Sequence, residues 1–145
     1  MALTTFSGPV RSLNGFIGTV DGTVQVTHAT VAAINATATA TAAQVATGYI
    51  TSTSALATTI TLPTGTLLGA ALGATQGTVF DLYIDNTAGA NIVTVAVATN
   101  GILSTAAVDT PGSFGDLTVA SGATGVARFT LMFSSATAYT FSRTA

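Results

Sequence analysis

The stretch GTVFDLYIDNTAGANIVTVAVATNG, residues 77–101, constrains the fold more than any other part of the chain. Phe80, Leu82 and Ile84 fall on one parity, and Val79, Asp81, Tyr83 and Asp85 fall on the other. A strand sends alternate side chains to opposite faces, so this pattern describes a half-buried strand with an apolar inner side. Residues 86–91 (NTAGAN) are turn material, because Asn and Gly reach backbone conformations that most residues avoid. Residues 92–97 are a second β-branched run, and Asn100-Gly101 marks a further tight turn. The local expectation is a hairpin, with two strands paired across one turn.

The same logic extends along the chain. Thr23, Gln25 and Thr27 alternate with Val24, Val26 and His28, and residues 31–34 are short and apolar. In residues 35–43 (NATATATAA), Ala favours helix and Thr favours strand, so propensity is divided; the expectation is extended or loop structure. Residues 44–62 read as a Ser/Thr-rich strand pair, with Leu56, Thr58, Ile60 and Leu62 on one face and Pro63 ending it. Residues 66–72 (TLLGAAL) read as the one short helix. Thr66 is its cap, Leu67, Leu68, Ala71 and Leu72 its apolar stripe, and Gly73 its terminator. Residues 117–119 form a short strand. Phe129, Leu131 and Phe133 then alternate with Arg128, Thr130 and Met132, and Tyr139 and Phe141 continue that apolar face in a closing hairpin. Many short strands at this spacing predict an all-β protein, a β-sandwich or jelly-roll-like domain with one short helix and an extended N-terminal arm.

The arm is residues 1–20, and residues 21–145 read as a single β domain. The first stretch holds few apolar residues and several breakers, Gly8-Pro9, Asn14-Gly15 and Gly18. Asn14-Gly15 between Val10/Leu13 and Phe16/Ile17 adds one tight turn. A segment so built buries little of itself, so its expected place is against a neighbour.

Charge excludes several functions. Only 6% of residues are charged, all of them Arg or Asp, and the net charge is −2. Three arginines leave no electrostatic footprint for nucleic acid. Without cysteine there is no disulfide, thiolate metal site or cysteine nucleophile. The opening MALTTFSGPVR lacks a basic region followed by an apolar one, so no signal peptide is expected. No stretch offers the roughly 20 consecutive apolar residues of a membrane helix. Surface charge keeps soluble proteins apart, and this chain has almost none. Burial of its faces in a symmetric oligomer or against a larger assembly would account for that.

Candidate chemistry is sparse. His28 is the single histidine, and no GxSxG nucleophile turn accompanies it; its place beside Val24 and Val26 marks it as a partly buried or seam residue. Asp81 and Asp85 share a strand face about 13 Å apart by strand rise, too far to share a proton or one metal ion. They read as solvent-facing groups or as partners for Arg128 or Arg143 across strands or subunits. Asp109 and Asp116 bracket a Pro/Gly loop without the acidic spacing of a calcium loop. The Thr-x-Thr stretches carry no fixed repeat of the kind an ice-binding face needs. No catalytic, cofactor or metal-binding residue is expected.

From residue 42 onward, the segments AAQVATGYITSTSALATTITLPTGTLLGAAL, GTVFDLYIDNTAGANIVTVAVATNGI and LTVASGATGVARFTLMFSSATAYTFSRTA follow a recurring order. It resembles the capsid decoration and head-fibre proteins of tailed bacteriophages. The opening SGPVRSLNGFIG resembles N-terminal arms of marine phage structural proteins. The resemblance implies a non-enzymatic virion protein, a homotrimer bound to the major capsid protein on the capsid exterior, with no nucleic-acid or membrane partner. It offers Phe80, Ile84, Asn86, Thr87 and Phe129 as core and turn positions, and Arg128 and Arg143 as basic positions flanking the last hairpin. The contact residues expected against the shell or another subunit are Phe6, Pro9, Val10, Arg11, Leu13, Asn14 and Phe16. Two alternatives stand beside it. One is a fibre or adhesin head that binds a host glycan through Tyr49, Tyr83 and Tyr139. The other is a self-assembling surface or tail subunit.

Overall fold

Among the described residues, alternating side chains become strands nearly wherever the sequence shows them; the alternating stretch 23–28 lies outside them. The computed structural model describes residues 30–103 and 116–144. The strands are β1 (Ala32–Ala33), β2 (Ala38–Thr39), β3 (Tyr49–Thr51), β4 (Thr58–Thr61), β5 (Val79–Asp85), β6 (Val93–Ala96), β7 (Gly101–Leu103), β8 (Thr118–Val119), β9 (Val126–Ser135) and β10 (Ala138–Arg143). Helices α1 (Ala42–Ala46) and α2 (Gly65–Leu72) and a short 3-10 turn (Gly122–Thr124) interrupt them. The protein is mainly β, in two mixed sheets. One has six strands in the order β1-β3-β5-β9-β10-β7, and the other has four in the order β2-β4-β6-β8. Every described strand from β1 to β9 lies in the opposite sheet from the one before it.

This alternation corrects the hairpin expected over residues 77–101. Both of its strands form, but they do not pair. β5 lies between β3, parallel, and β9, antiparallel, in the six-stranded sheet. β6 lies between β4, parallel, and β8, antiparallel, in the other sheet. The reason is that Leu82 and Ile84 of β5 and Val93 and Val95 of β6 are all fully buried in one core, reached from two different sheets. The strand pair expected over residues 44–62 divides in the same way: β3 pairs with β1 and β5, and β4 with β2 and β6. Parallel neighbours need a long return connection. Here each return runs through a strand of the opposite sheet, and four of the five pass through α1 or α2 as well. The closing hairpin forms as expected, with β9 and β10 antiparallel.

Asn86 is the post around which the chain leaves one sheet for the other. Its side chain is fully buried. Its Nδ2 donates to the carbonyls of Asn91 at 2.8 Å, Val119 at 3.2 Å and Ala120 at 3.0 Å, so the end of β5 is tied to the approach to β6 and to β8. Its backbone N–H donates to the Gly125 carbonyl at 2.6 Å. Further along, Asn100 takes a left-handed φ of 63° in the turn that the Asn100-Gly101 pair predicts.

The core joins both sheets. Phe129 and Phe141 stack with centroids 4.9 Å apart, and Phe133 meets Tyr139 at 5.6 Å. Ile60, Val93, Val95 and Val119 close it from the four-stranded sheet. Tyr139 is buried and donates its hydroxyl to the Pro63 carbonyl at 3.0 Å, so a polar tip inside the core is satisfied. Leu56, expected to share an inner face with Ile60, instead projects outward from the loop before β4.

The helices also differ in detail from expectation. α1 begins inside the segment expected to be extended, because Thr41 and Gln44 form a reciprocal capping box. The α2 cap is Thr64, not Thr66; its Oγ1 accepts from the Leu67 N–H at 3.4 Å. Gly73 ends α2 with φ 60° as expected. The buried face of α2 is Gly65, Leu68 and Gly69, while Leu67 is 60% exposed. The helix lies so close to the β9–β10 turn that a methyl on Gly65 would overlap the Thr137 carbonyl oxygen, and one on Gly69 that of Ala136. Small residues at this i, i+4 spacing let the backbones touch, and of the expected stripe Leu68 stays buried and Leu72 packs against the core while Leu67 and Ala71 are exposed.

Candidate functional site

The arm residues Phe6, Pro9, Val10, Arg11, Leu13, Asn14 and Phe16 lie outside the described residues, as do His28 and Asp109. Among the described residues, no group of three or more His, Cys, Asp or Glu side chains is placed to hold a metal ion. No helix among them is long and apolar enough to cross a membrane. The side chains that do converge lie on the outer face of the six-stranded sheet.

Strand register assembles that face. Tyr49 of β3 is paired with Tyr83 of β5, and Tyr83 with Arg128 of β9. One row along, Thr51 is matched to Asp85 and Asp85 to Val126; in the other direction Asp81 faces Thr130 and Val79 faces Met132. The Tyr49 and Tyr83 rings stack with centroids 6.5 Å apart and planes 23° apart. Val79 is 63% exposed and Met132 42% exposed, an apolar pair open to solvent beside the polar row.

The polar groups on this face bind one another. Asp85 accepts from the Thr87 hydroxyl at 2.6 Å, from the Thr87 N–H at 2.9 Å and from the Tyr49 hydroxyl at 2.7 Å. The Thr87 hydroxyl, followed by its N–H, holds the Asp85 carboxyl below the usual carboxylate range; burial opposes this and the Tyr49 hydroxyl adds to it. The same bond to Asp85, with burial and the nearby negative charge, pushes the Tyr49 phenol above its ordinary value. At neutral pH the pair is a protonated phenol on a carboxylate, a contact and not a proton-transfer couple. Asp81 accepts from the Thr130 hydroxyl at 2.7 Å, and Arg128 donates through Nε to the Thr144 hydroxyl at 3.2 Å.

The arginine partners expected for Asp81 and Asp85 go elsewhere. Arg143 forms its ion pair with Asp116 at 3.1 Å and donates to the Thr118 carbonyl at 2.6 Å, joining β10 to β8. Asp116 also takes the N–H and hydroxyl of Thr118, the arrangement that Asp85 makes with Thr87. Of the three tyrosines considered for a glycan groove, Tyr49 and Tyr83 come together and Tyr139 is enclosed in the core. The role of Asn86 was not visible in the sequence beyond its place in a turn. A clue was its position directly after a strand, where a buried amide can satisfy carbonyls from a second sheet. The outward pairing of Val79 with Met132 was likewise invisible until register was known.

No protein-family model, curated protein or solved structure matches the chain.

Proposed function

We propose that this chain is a non-enzymatic virion structural protein, a capsid decoration protein that binds the outside of a major capsid shell and reinforces it, as a homotrimer. The observation that carries this reading is the internal use of charge. Asp81, Asp85, Asp116, Arg128 and Arg143, the described charged residues, all hydrogen-bond within their own chain. What remains outward is Thr, Ser, Ala and scattered apolar side chains, a surface suited to packing against protein. Two sheets sharing one core favour the sandwich form of the fold, although the parallel ladders β1-β3-β5 and β2-β4-β6 depart from an antiparallel jelly roll.

In this reading residues 1–20 are the part that docks on the shell or on a neighbouring subunit, through Phe6, Pro9, Val10, Arg11, Leu13, Asn14 and Phe16. Removing residues 1–18 should abolish binding to capsids while the circular dichroism of the domain stays unchanged. Unaltered binding by the truncated chain refutes the arm assignment. The glycan-binding alternative is weakened by the enclosure of Tyr139 and by the bond of the Tyr49 hydroxyl to Asp85.

A further inference from the structure

The turn between β6 and β7 holds Asn100 and Gly101 in places that admit little else. The Gly101 N–H donates to the Ala98 carbonyl at 3.0 Å, and Asn100, at φ 63°, is the one residue other than glycine with a positive φ among the described residues. A turn closed in this way with its third residue left-handed has the signature of type II, which calls for Gly or Asn there. The next position needs glycine for a different reason. A Cβ on Gly101 would lie 2.7 Å from Tyr139 Oη and 2.8 Å from Val97 Cβ, and the Tyr139 hydroxyl cannot yield, because it is buried and bonded to the Pro63 carbonyl. Conformation and packing thus place an Asn directly before a Gly. That dipeptide is chemically labile, since glycine has no side chain to keep its nitrogen away from the preceding amide carbon. Asn100 is exposed, so water reaches it.

We propose that Asn100 is a site of spontaneous deamidation, gated by opening of the β7 edge of the six-stranded sheet. The Gly101 nitrogen attacks Asn100 Cγ and gives its proton to water. The N–Cγ bond forms, the Cγ–Nδ2 bond breaks and ammonia leaves. Water then opens the cyclic imide at either carbonyl, giving aspartate or, with the main chain rerouted through the side chain, isoaspartate. The ring closes only when the Gly101 nitrogen swings toward Cβ of Asn100. In a type II turn the third residue has ψ of about 0°, which holds that nitrogen beside the Asn100 nitrogen instead. Three hydrogen bonds keep it there: Gly101 N–H to the Ala98 carbonyl, Tyr139 N–H to the Asn100 carbonyl at 3.1 Å, and Gly65 N–H to the Thr99 carbonyl at 3.1 Å. The second belongs to the parallel β7–β10 ladder, in which Tyr139 pairs with Gly101. β7 is an edge strand, so it opens without unfolding the whole core. Isoaspartate adds one methylene to the main chain directly before Gly101. Tyr139 then loses its register with β7, and a transient opening becomes permanent.

The full chain, incubated in mildly alkaline buffer with and without urea, tests this. Conversion at Asn100 is followed by sequencing chymotryptic peptides in a mass spectrometer, and amide hydrogen exchange of Gly101 and Tyr139 is measured on the native chain. Conversion should be slower in the native chain than in urea by about tenfold or more, and that factor should match the exchange protection of the two amides, since both report the same opening. The chain enriched in the isoaspartyl form should exchange the Tyr139 amide faster. Asn100→Asp, which carries the same charge on an unaltered main chain, should keep that amide protected. The proposal is overturned by absence of conversion at Asn100 in urea, by equal rates in the two conditions, by a native slowing that departs from the exchange protection by more than about tenfold, or by an isoaspartyl form that retains protection at Tyr139.

Discussion

Replacing Asn86 by Asp exchanges one amide nitrogen for oxygen in a closed site, and the structure sets the size of the effect. Asn86 Nδ2 supplies the hydrogen bonds to the Asn91, Val119 and Ala120 carbonyls, and Oδ1 has no hydrogen-bond partner. A methyl on Gly89 would overlap Oδ1, so this side of the amide is closed as well. A protonated carboxyl keeps one donor in place of two, a loss of about 1–1.5 kcal/mol. An ionised one would face carbonyl oxygens without solvent, so the introduced group stays protonated and its folded pKa rises, by ~3–5 for full burial. Holding that proton at pH 7 costs about 4 kcal/mol at ~1.4 kcal/mol per unit above an unfolded value near 4. The variant is therefore weakened by about 5 kcal/mol at pH 7, comparable to the whole stability of many domains. The sign with pH follows from the raised value. The ionisation penalty is absent below the unfolded pKa and grows as pH rises toward the folded one, so acid rescues the variant. Urea unfolding of wild type and Asn86→Asp, followed by circular dichroism from pH 4 to 8, should show a gap of about 1–2 kcal/mol at pH 4 that widens by several kcal/mol at pH 7. A gap below about 1 kcal/mol at pH 7, or one that does not change with pH, refutes Asn86 as a buried donor to the second sheet.

Gly69→Ala should lower the melting temperature by about 2–6 °C in calorimetry, because overpacking against the Ala136 carbonyl at about 1–3 kcal/mol exceeds a helix-propensity gain of about 1 kcal/mol; a rise in melting temperature counts against the close α2–hairpin contact. Tyr49→Phe should be less stable than wild type between about pH 4 and pH 10. The difference should fade below that window as the depressed Asp85 protonates, and above it as the raised Tyr49 phenol ionises; a difference constant with pH would contradict the Tyr49–Asp85 bond. In a spectrophotometric titration Tyr139, pushed up to about 12 by burial, should ionise above the ordinary phenol range, and its ionisation within that range is the contrary result.

The strands were legible because burial on one side leaves a period of two. Phe80, Leu82 and Ile84 carry it, as do Phe129, Leu131 and Phe133. Apart from the closing β9–β10 hairpin, pairing was not legible, because alternation states that a strand has an inner face and says nothing of which strand lies beside it. The NTAGAN turn looked like a hairpin tip, and only the buried bonds of Asn86 show that it is a corner between sheets. The α1 cap was present in the sequence as Thr41-x-x-Gln44, hidden inside an Ala/Thr repeat. For α2, four apolar residues outweighed two glycines in the reading, yet the glycines face inward, since backbone contact with Ala136 and Thr137 admits nothing larger. Of the candidate surface, Tyr49 and Tyr83 could be named but not their neighbours, which depend on register between β3, β5 and β9.

A chain that changes sheet at almost every strand has little to assemble locally. Among the described strands, β9 and β10 are the one consecutive pair bonded to each other. Each other ladder must wait for segments distant in sequence, which raises the entropic cost of closing loops before contacts form. The β9–β10 hairpin, with Phe129 stacked on Phe141, is the piece able to form first, and it follows every other described strand in the sequence. During synthesis the parallel ladders would therefore stand exposed until β9 and β10 leave the ribosome, so folding of this protein is expected to be slow and to begin only once that hairpin has been made.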